Sequence, residues 1–113
     1  MNAEEQEIMN QLAALVPPKG YEKLHQVFQQ AMEQAAFGKG KERHASEEPF
    51  EEQPICIITK IVGLGFPLGQ AIKKIHEGPR LSNVFSTMDE LLGAINYIAA
   101  AVVVLRETPG VTD

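Results

Sequence analysis

A single cysteine, Cys56, in a chain of 113 residues excludes an intramolecular disulfide and any cysteine-rich zinc site. It stands in the apolar run ICIITKIV, where a buried, inert thiol is expected, because a reactive cysteine needs an exposed electropositive setting. The start, MNAEEQEIMNQ, lacks the basic and apolar regions of a secretory signal, which makes the cytoplasm the expected location. Basic charge is also scarce: 10 Lys and Arg against 15 Asp and Glu leave a formal net charge of −5. A DNA-binding domain would carry a broad basic face, so no nucleic-acid polymer is expected as a partner. There is no GxxxxGK[ST] phosphate loop, no internal repeat and no low-complexity segment. His25, His44 and His76 match no metal-ligand spacing, and spacing alone assembles no Ser–His–Asp or Cys–His arrangement.

What the chain does have is helical periodicity. With 44% hydrophobic residues it is globular in composition, and its length suits one domain. Residues 3–16 place Ile8, Leu12, Leu15 and Val16 at helical spacing, and Pro17, Pro18 and Gly20 end that segment. Residues 21–37 carry a second stripe of Tyr21, Leu24, Phe28, Met32 and Ala35, with Gly38 suited to a left-handed cap. Residues 38–53 read as a long functional loop that switches from basic to acidic. Pro54 opens a short apolar segment, read as a buried helix because a lone strand would leave its backbone groups unpaired. Pro67 is placed at the first position of a helix reaching Glu77, with Leu68, Ala71, Ile72 and Ile75 inward and Lys73 and Lys74 mainly on the other side. Thr87 and Glu90 predict a capping box for a final helix over 88–107.

That last helix is apolar nearly all round and must be central or covered by another subunit. Its longest apolar stretch, residues 91–105, contains Asn96 and falls short of the roughly 20 residues of a membrane span, so no membrane is expected. The expected fold is an all-α compact bundle of about five helices in a single domain. Self-association is expected through the C-terminal helix, with frayed ends at 1–2 and 108–113.

Three charged groups could carry chemistry. In FGKGKERH, residues 37–44, Gly38 and Gly40 can free backbone amides for an anion while Lys39, Lys41 and Arg43 add charge and His44 a donor. A helix C-cap whose lysines answer the dipole accounts for Gly38 but not for Gly40 or the alternating cations. Lys73, Lys74 and Arg80 form a second basic group, which by itself is an ordinary solvated face. If the two groups meet beside an aromatic residue such as Phe50, Phe66 or Tyr97, they suit a ligand with phosphates and a stackable base. The acidic run holding Glu47, Glu48 and Glu51 could bind Mg²⁺, or could simply open a helix.

In its order of features, residues 37–107 resemble the MazG-like and phage dATP/dGTP diphosphohydrolase all-α families: a Gly–Lys loop, a short helix, EExxE and a late helix. That resemblance implies a Mg²⁺-dependent pyrophosphohydrolase using Glu47, Glu48, Glu51 and Glu90. Gly93, however, stands where the family's second motif has a carboxylate. The phrases GKGKERHA, LGQAIKKI and LLGAINYIAAAVVVLRE also resemble small helical phage proteins that sequester nucleotide messengers of bacterial immunity. This second resemblance implies a non-catalytic, oligomeric anti-defence sponge with no cofactor. Its nucleotide would be held by Gly38, Lys39, Gly40, Lys41, Arg43, His44, Phe50, Lys73, Lys74 and Arg80. A protein–protein interaction module is the remaining expectation.

Overall fold

The structure, a computed structural model, describes residues 2–38 and 47–109; within the first segment, the side chains of residues 12–15 are not described. The described residues form five α-helices and no strand: α1 (Ala3–Leu15), α2 (Glu22–Phe37), α3 (Pro54–Val62), α4 (Gly65–Glu77) and α5 (Val84–Glu107). Single turns of 3₁₀ helix at Phe50–Glu52 and Gly78–Arg80 lead into α3 and out of α4. The all-α architecture matches the sequence pattern.

Helix α5 is the axis of the fold, and α2, α3 and α4 pack along it. The surface it offers them is made of small residues: Gly93, Ala94, Ala100 and Ala101, with Val104 at the far end. Opposite them lie Ala31 of α2, Ala71 of α4 and the Ile55–Cys56 pair of α3, all buried. Small side chains let helix axes approach closely, and polar groups then bridge between them. The Asn96 side-chain amide donates to the Ala31 carbonyl oxygen at 2.9 Å, and that of Gln34 to the Asp89 carbonyl oxygen at 2.8 Å. Phe50, Tyr97 and Val103 close the cluster of Ile55, Cys56, Ala100 and Val104.

Punctuation between helices follows from backbone chemistry. Gly63 ends α3 at φ 96°, ψ 179°, a conformation essentially reserved for glycine, and its N–H donates to the Thr59 carbonyl oxygen. Gly20, at φ 92°, turns the chain between α1 and α2. Gly38 is different. Its φ is −102°, not left-handed as its position suggested, and a Cβ there would lie 2.9 Å from the Gln34 carbonyl oxygen. Glycine is required by that close approach, not by handedness.

Two further expectations are corrected. Helix α5 starts at Val84, capped by Asn83, whose Oδ1 accepts from the amides of Phe85 and Ser86. Thr87 lies inside the helix and donates its hydroxyl to the Gly78 carbonyl oxygen, tying α5 to the end of α4. Asparagine is as good an N-cap as threonine, and the earlier cap adds a full turn. In α4, Leu68, Ile72 and Ile75 are exposed, Ile72 at 66%, while Pro67, Ala71 and the stem of Lys74 face α5. The helix docks by its small face, because Gly93 and Ala94 leave room only for close contact.

Candidate functional site

Of the concave regions that flank α5, two hold parts of the sequence-derived site. The first lies between the last turns of α2 and the first turns of α5. It is a groove of about 590 Å³ lined by Gln34, Phe37, Gly38, Phe85, Met88 and Leu92, with Gln30, Glu33 and Asp89 at its polar edge. Two aromatic rings stand open to solvent here, Phe37 at 80% and Phe85 at 69%. An apolar floor with a few polar groups at the edge is the usual make-up of a small-molecule site, and 590 Å³ falls within the common size range. Gly38 lies on its wall, and the chain leaves Gly38 directly into Lys39. The groove also opens beside the N-terminus of α5, the positive end of a 24-residue helix dipole. Lys39, Gly40, Lys41, Arg43 and His44 themselves lie outside the described residues.

The second region is a polar crevice of about 230 Å³ between α4 and α5, lined by Gln70, Lys73, Lys74, Glu77, Glu90 and Tyr97. Positions 70, 73, 74 and 77 share one helical face of α4, and 90 and 97 are two turns apart on α5. Lys74 occupies the middle. Its Nζ is 3.6 Å from a Glu90 carboxylate oxygen and 5.9 Å from the centroid of the Tyr97 ring, and its side chain is only 15% exposed. The Tyr97 ring is held in turn by an edge-on contact with Phe66, centroids 6.0 Å apart. Gly93 explains how the lysine fits: a Cβ at 93 would come within 3.1 Å of the Lys74 Cδ and Cε. Gly93, where the diphosphohydrolase resemblance called for a carboxylate, is here the gap that admits a lysine.

The remaining candidates are scattered. Arg80 sits exposed in the 3₁₀ turn after α4, and Phe50 packs against the core cluster. Glu47, Glu48 and Glu51 are exposed in and before the turn that precedes α3, while Glu90 is engaged by Lys74. Among the described residues no three His, Cys, Asp or Glu side chains gather as a metal-holding group. Lys73 and Lys74 therefore do share a crevice, but Gly38 lines a groove with α2, whereas theirs lies with α4. Phe37 and Phe85 escaped the sequence reading of the site. The available signal was weak: both are large apolar residues at helix ends, beside polar neighbours.

Cys56 is fully buried, and burial, followed by the charge of Glu107, pushes its thiol pKa up, as expected of an inert cysteine. Glu107 also pairs with Lys60 at 3.0 Å, and this hydrogen bond raises the Lys60 pKa. The pair joins the last turns of α3 and α5. Comparison with protein-family models, curated proteins and solved structures found no match to the chain.

Proposed function

We propose that this chain is a non-catalytic binding protein for a phosphate-bearing nucleotide of the signalling or cyclic kind. The base would rest in the groove between α2 and α5 against Phe37 and Phe85. Its phosphates would reach Lys39, Lys41 and Arg43, with Gly40 and His44 offering further donors, while the Gly38 N–H is already held by the Gln34 carbonyl oxygen. The observation that carries this reading is the groove itself, an apolar recess with two open aromatic rings at the point where the Gly–Lys stretch begins. Aromatic stacking and charge-assisted hydrogen bonds are the two interactions such a ligand needs. Lys73 and Arg80 would serve only a ligand long enough to pass over α5, and Lys74 is already neutralised by Glu90. Sequestration of an immune messenger by a phage-type protein in the cytoplasm is the biological setting this chemistry suits.

The pyrophosphohydrolase alternative receives less support, since Glu90 is ion-paired and Gly93 houses a lysine. A protein-interaction role is the second reading, favoured by the exposed apolar side chains of α2, α4 and α5. A thermal-shift screen of mono-, di- and cyclic nucleotides separates these roles. A ligand at 100 times its Kd adds about 2.7 kcal/mol of stability. Calorimetry should then show Phe37→Ala or Phe85→Ala weakening binding by about 1–3 kcal/mol and Lys41→Ala or Arg43→Ala by about 1.5–3 kcal/mol. Magnesium-dependent turnover of the ligand would favour the enzyme; no response to any nucleotide would favour the interaction role.

A further inference from the structure

Helix α5 carries a second pattern, which shares Met88, and at its flank Phe85 and Leu92, with the groove of the ligand reading. Its solvent side runs Val84, Met88, Leu91, Ile95, Ile98, Val102 and Leu105, in alternating steps of four and three along the entire helix. That is an unbroken a/d heptad seam, with Met88, Ile95 and Val102 at a and Val84, Leu91, Ile98 and Leu105 at d. Except for the half-buried Ile95, these residues are 39–65% exposed. The opposite side of the same helix is the Gly–Ala surface already packed by α2, α3 and α4. We propose that the seam is the interface at which two copies of this chain pair through α5.

Several features select a second copy over other occupants. A strict 3.5-residue repeat drifts around a straight helix by about 20° per heptad, which is what a supercoiling partner helix follows. Met88, near one end, lines the groove with α2, while Leu105, at the other, lines the groove with α3. Of the flanking positions, which set partner choice by charge, the open side holds Phe85, Leu92, Ala99 and Arg106, because Ala94 and Ala101 on the other side are buried in the chain's own core. Arg106 is the only charge among them, so the seam selects no differently charged partner and complements itself across a two-fold axis. Seven side chains at these exposures offer roughly 500 Å² per copy, so two copies reach the ~1,000 Å² that a specific interface needs.

A lipid bilayer is the competing occupant, since α5 alone among the described helices is long and apolar enough to cross one. A bilayer would need apolar surface all round. The inner side of α5 instead bears Asn96, donating to Ala31, and Glu90, paired with Lys74. Stripping the helix into lipid would leave those groups without partners.

Light scattering and sedimentation equilibrium on the full chain test the proposal. Wild type should have twice the 12.4 kDa chain mass at micromolar concentration, and Ile98→Glu with Val102→Glu should raise the dimer dissociation constant at least about a hundredfold. Helicity by circular dichroism should be kept. In case that variant fails to fold, Ile95→Cys provides a second route. Position 95, an a position close to the middle of the seam, meets its own counterpart when the helices run parallel. When they run antiparallel it faces position 91 or 98 of the second copy, so Ile95→Cys chains are also mixed with Leu91→Cys or Ile98→Cys chains. Mild oxidation should link two copies in one of these samples, whereas wild type, with only the buried Cys56, should not link. A wild-type monomer at 100 µM, with or without binding to phosphatidylcholine vesicles, would overturn the proposal. So would a folded double variant that dimerises unchanged, or cysteine variants at 91, 95 and 98 that never cross-link, alone or mixed.

Discussion

The two sides of α5 reverse the usual division between interior and surface. Toward its own chain the helix presents Gly93, Ala94, Ala100 and Ala101; toward solvent it presents Leu91, Ile98, Val102 and Leu105. A buried methylene contributes about 0.8 kcal/mol, so an alanine surface gains little from area. What it provides is proximity, bringing backbones close enough for Asn96 to reach Ala31 and for Lys74 to lie across Gly93. The larger hydrophobic reserve is on the outside, available to a partner. A helix with small side chains on one side and large apolar ones on the other can thus serve two different contacts, one set by fit and the other by area.

The contrast is broken most severely from the inside. Ala100 is 0% exposed, so Ala100→Glu buries an unpaired carboxylate and should cost several kcal/mol, a large share of an ordinary domain's 5–15 kcal/mol. Chemical denaturation should find the variant largely unfolded. Val102→Ala, two residues further on the outer side, should leave helicity intact and lower the denaturation midpoint only through weaker pairing, with no steeper dependence on protein concentration than wild type. Equal damage by both substitutions would mean that the two sides are not distinct.

A middle-sized effect is expected where Lys74 crosses α5. Glu90→Ala leaves a mostly buried ammonium with only the Tyr97 ring and should destabilise by about 1–3 kcal/mol. Gly93→Ala presses on the flexible Lys74 stem, which can shift, and should cost less. If Glu90→Ala is neutral in urea titrations, the pair contributes nothing to holding α4 on α5.

The smallest effect belongs to Cys56. Its folded pKa is raised, so the stability tied to the neutral thiol is complete below the unfolded value of about 8.5 and declines as pH rises toward the folded value. Unfolding midpoints should fall above about pH 8.5, and less steeply in Cys56→Ala, measured against its own neutral-pH midpoint. Identical pH profiles would remove the thiol from the account.

Most of the fold was legible in the sequence because α1, α2, α3 and α4 are bounded by prolines and glycines whose backbone restrictions are local. The start of α5 was not, since Asn83 and Thr87 both satisfy the rules for a cap and only the contact of Thr87 with Gly78 decides between them. The inward face of α4 was misread for a related reason. Periodicity finds the stripe of Leu68, Ile72 and Ile75, but whether a partner meets that stripe or the small face beside it depends on what α5 presents. Of the candidate site, the shared position of Lys73 and Lys74 follows from adjacency on one helix. The pairing of Lys74 with Glu90 and the groove lined by Phe37 and Phe85 depend on tertiary contacts that spacing does not carry.

The most direct test of the outer seam is an isotope-filtered NOE experiment on a mixed sample of ¹³C-labelled and unlabelled chains. Pairing through α5 should give interchain contacts at the Ile95, Ile98 and Val102 methyl groups and none at the Ala100 methyl group. Interchain contacts that map to the exposed apolar side chains of α2 while the α5 seam stays silent, or a complete absence of interchain contacts, would contradict it.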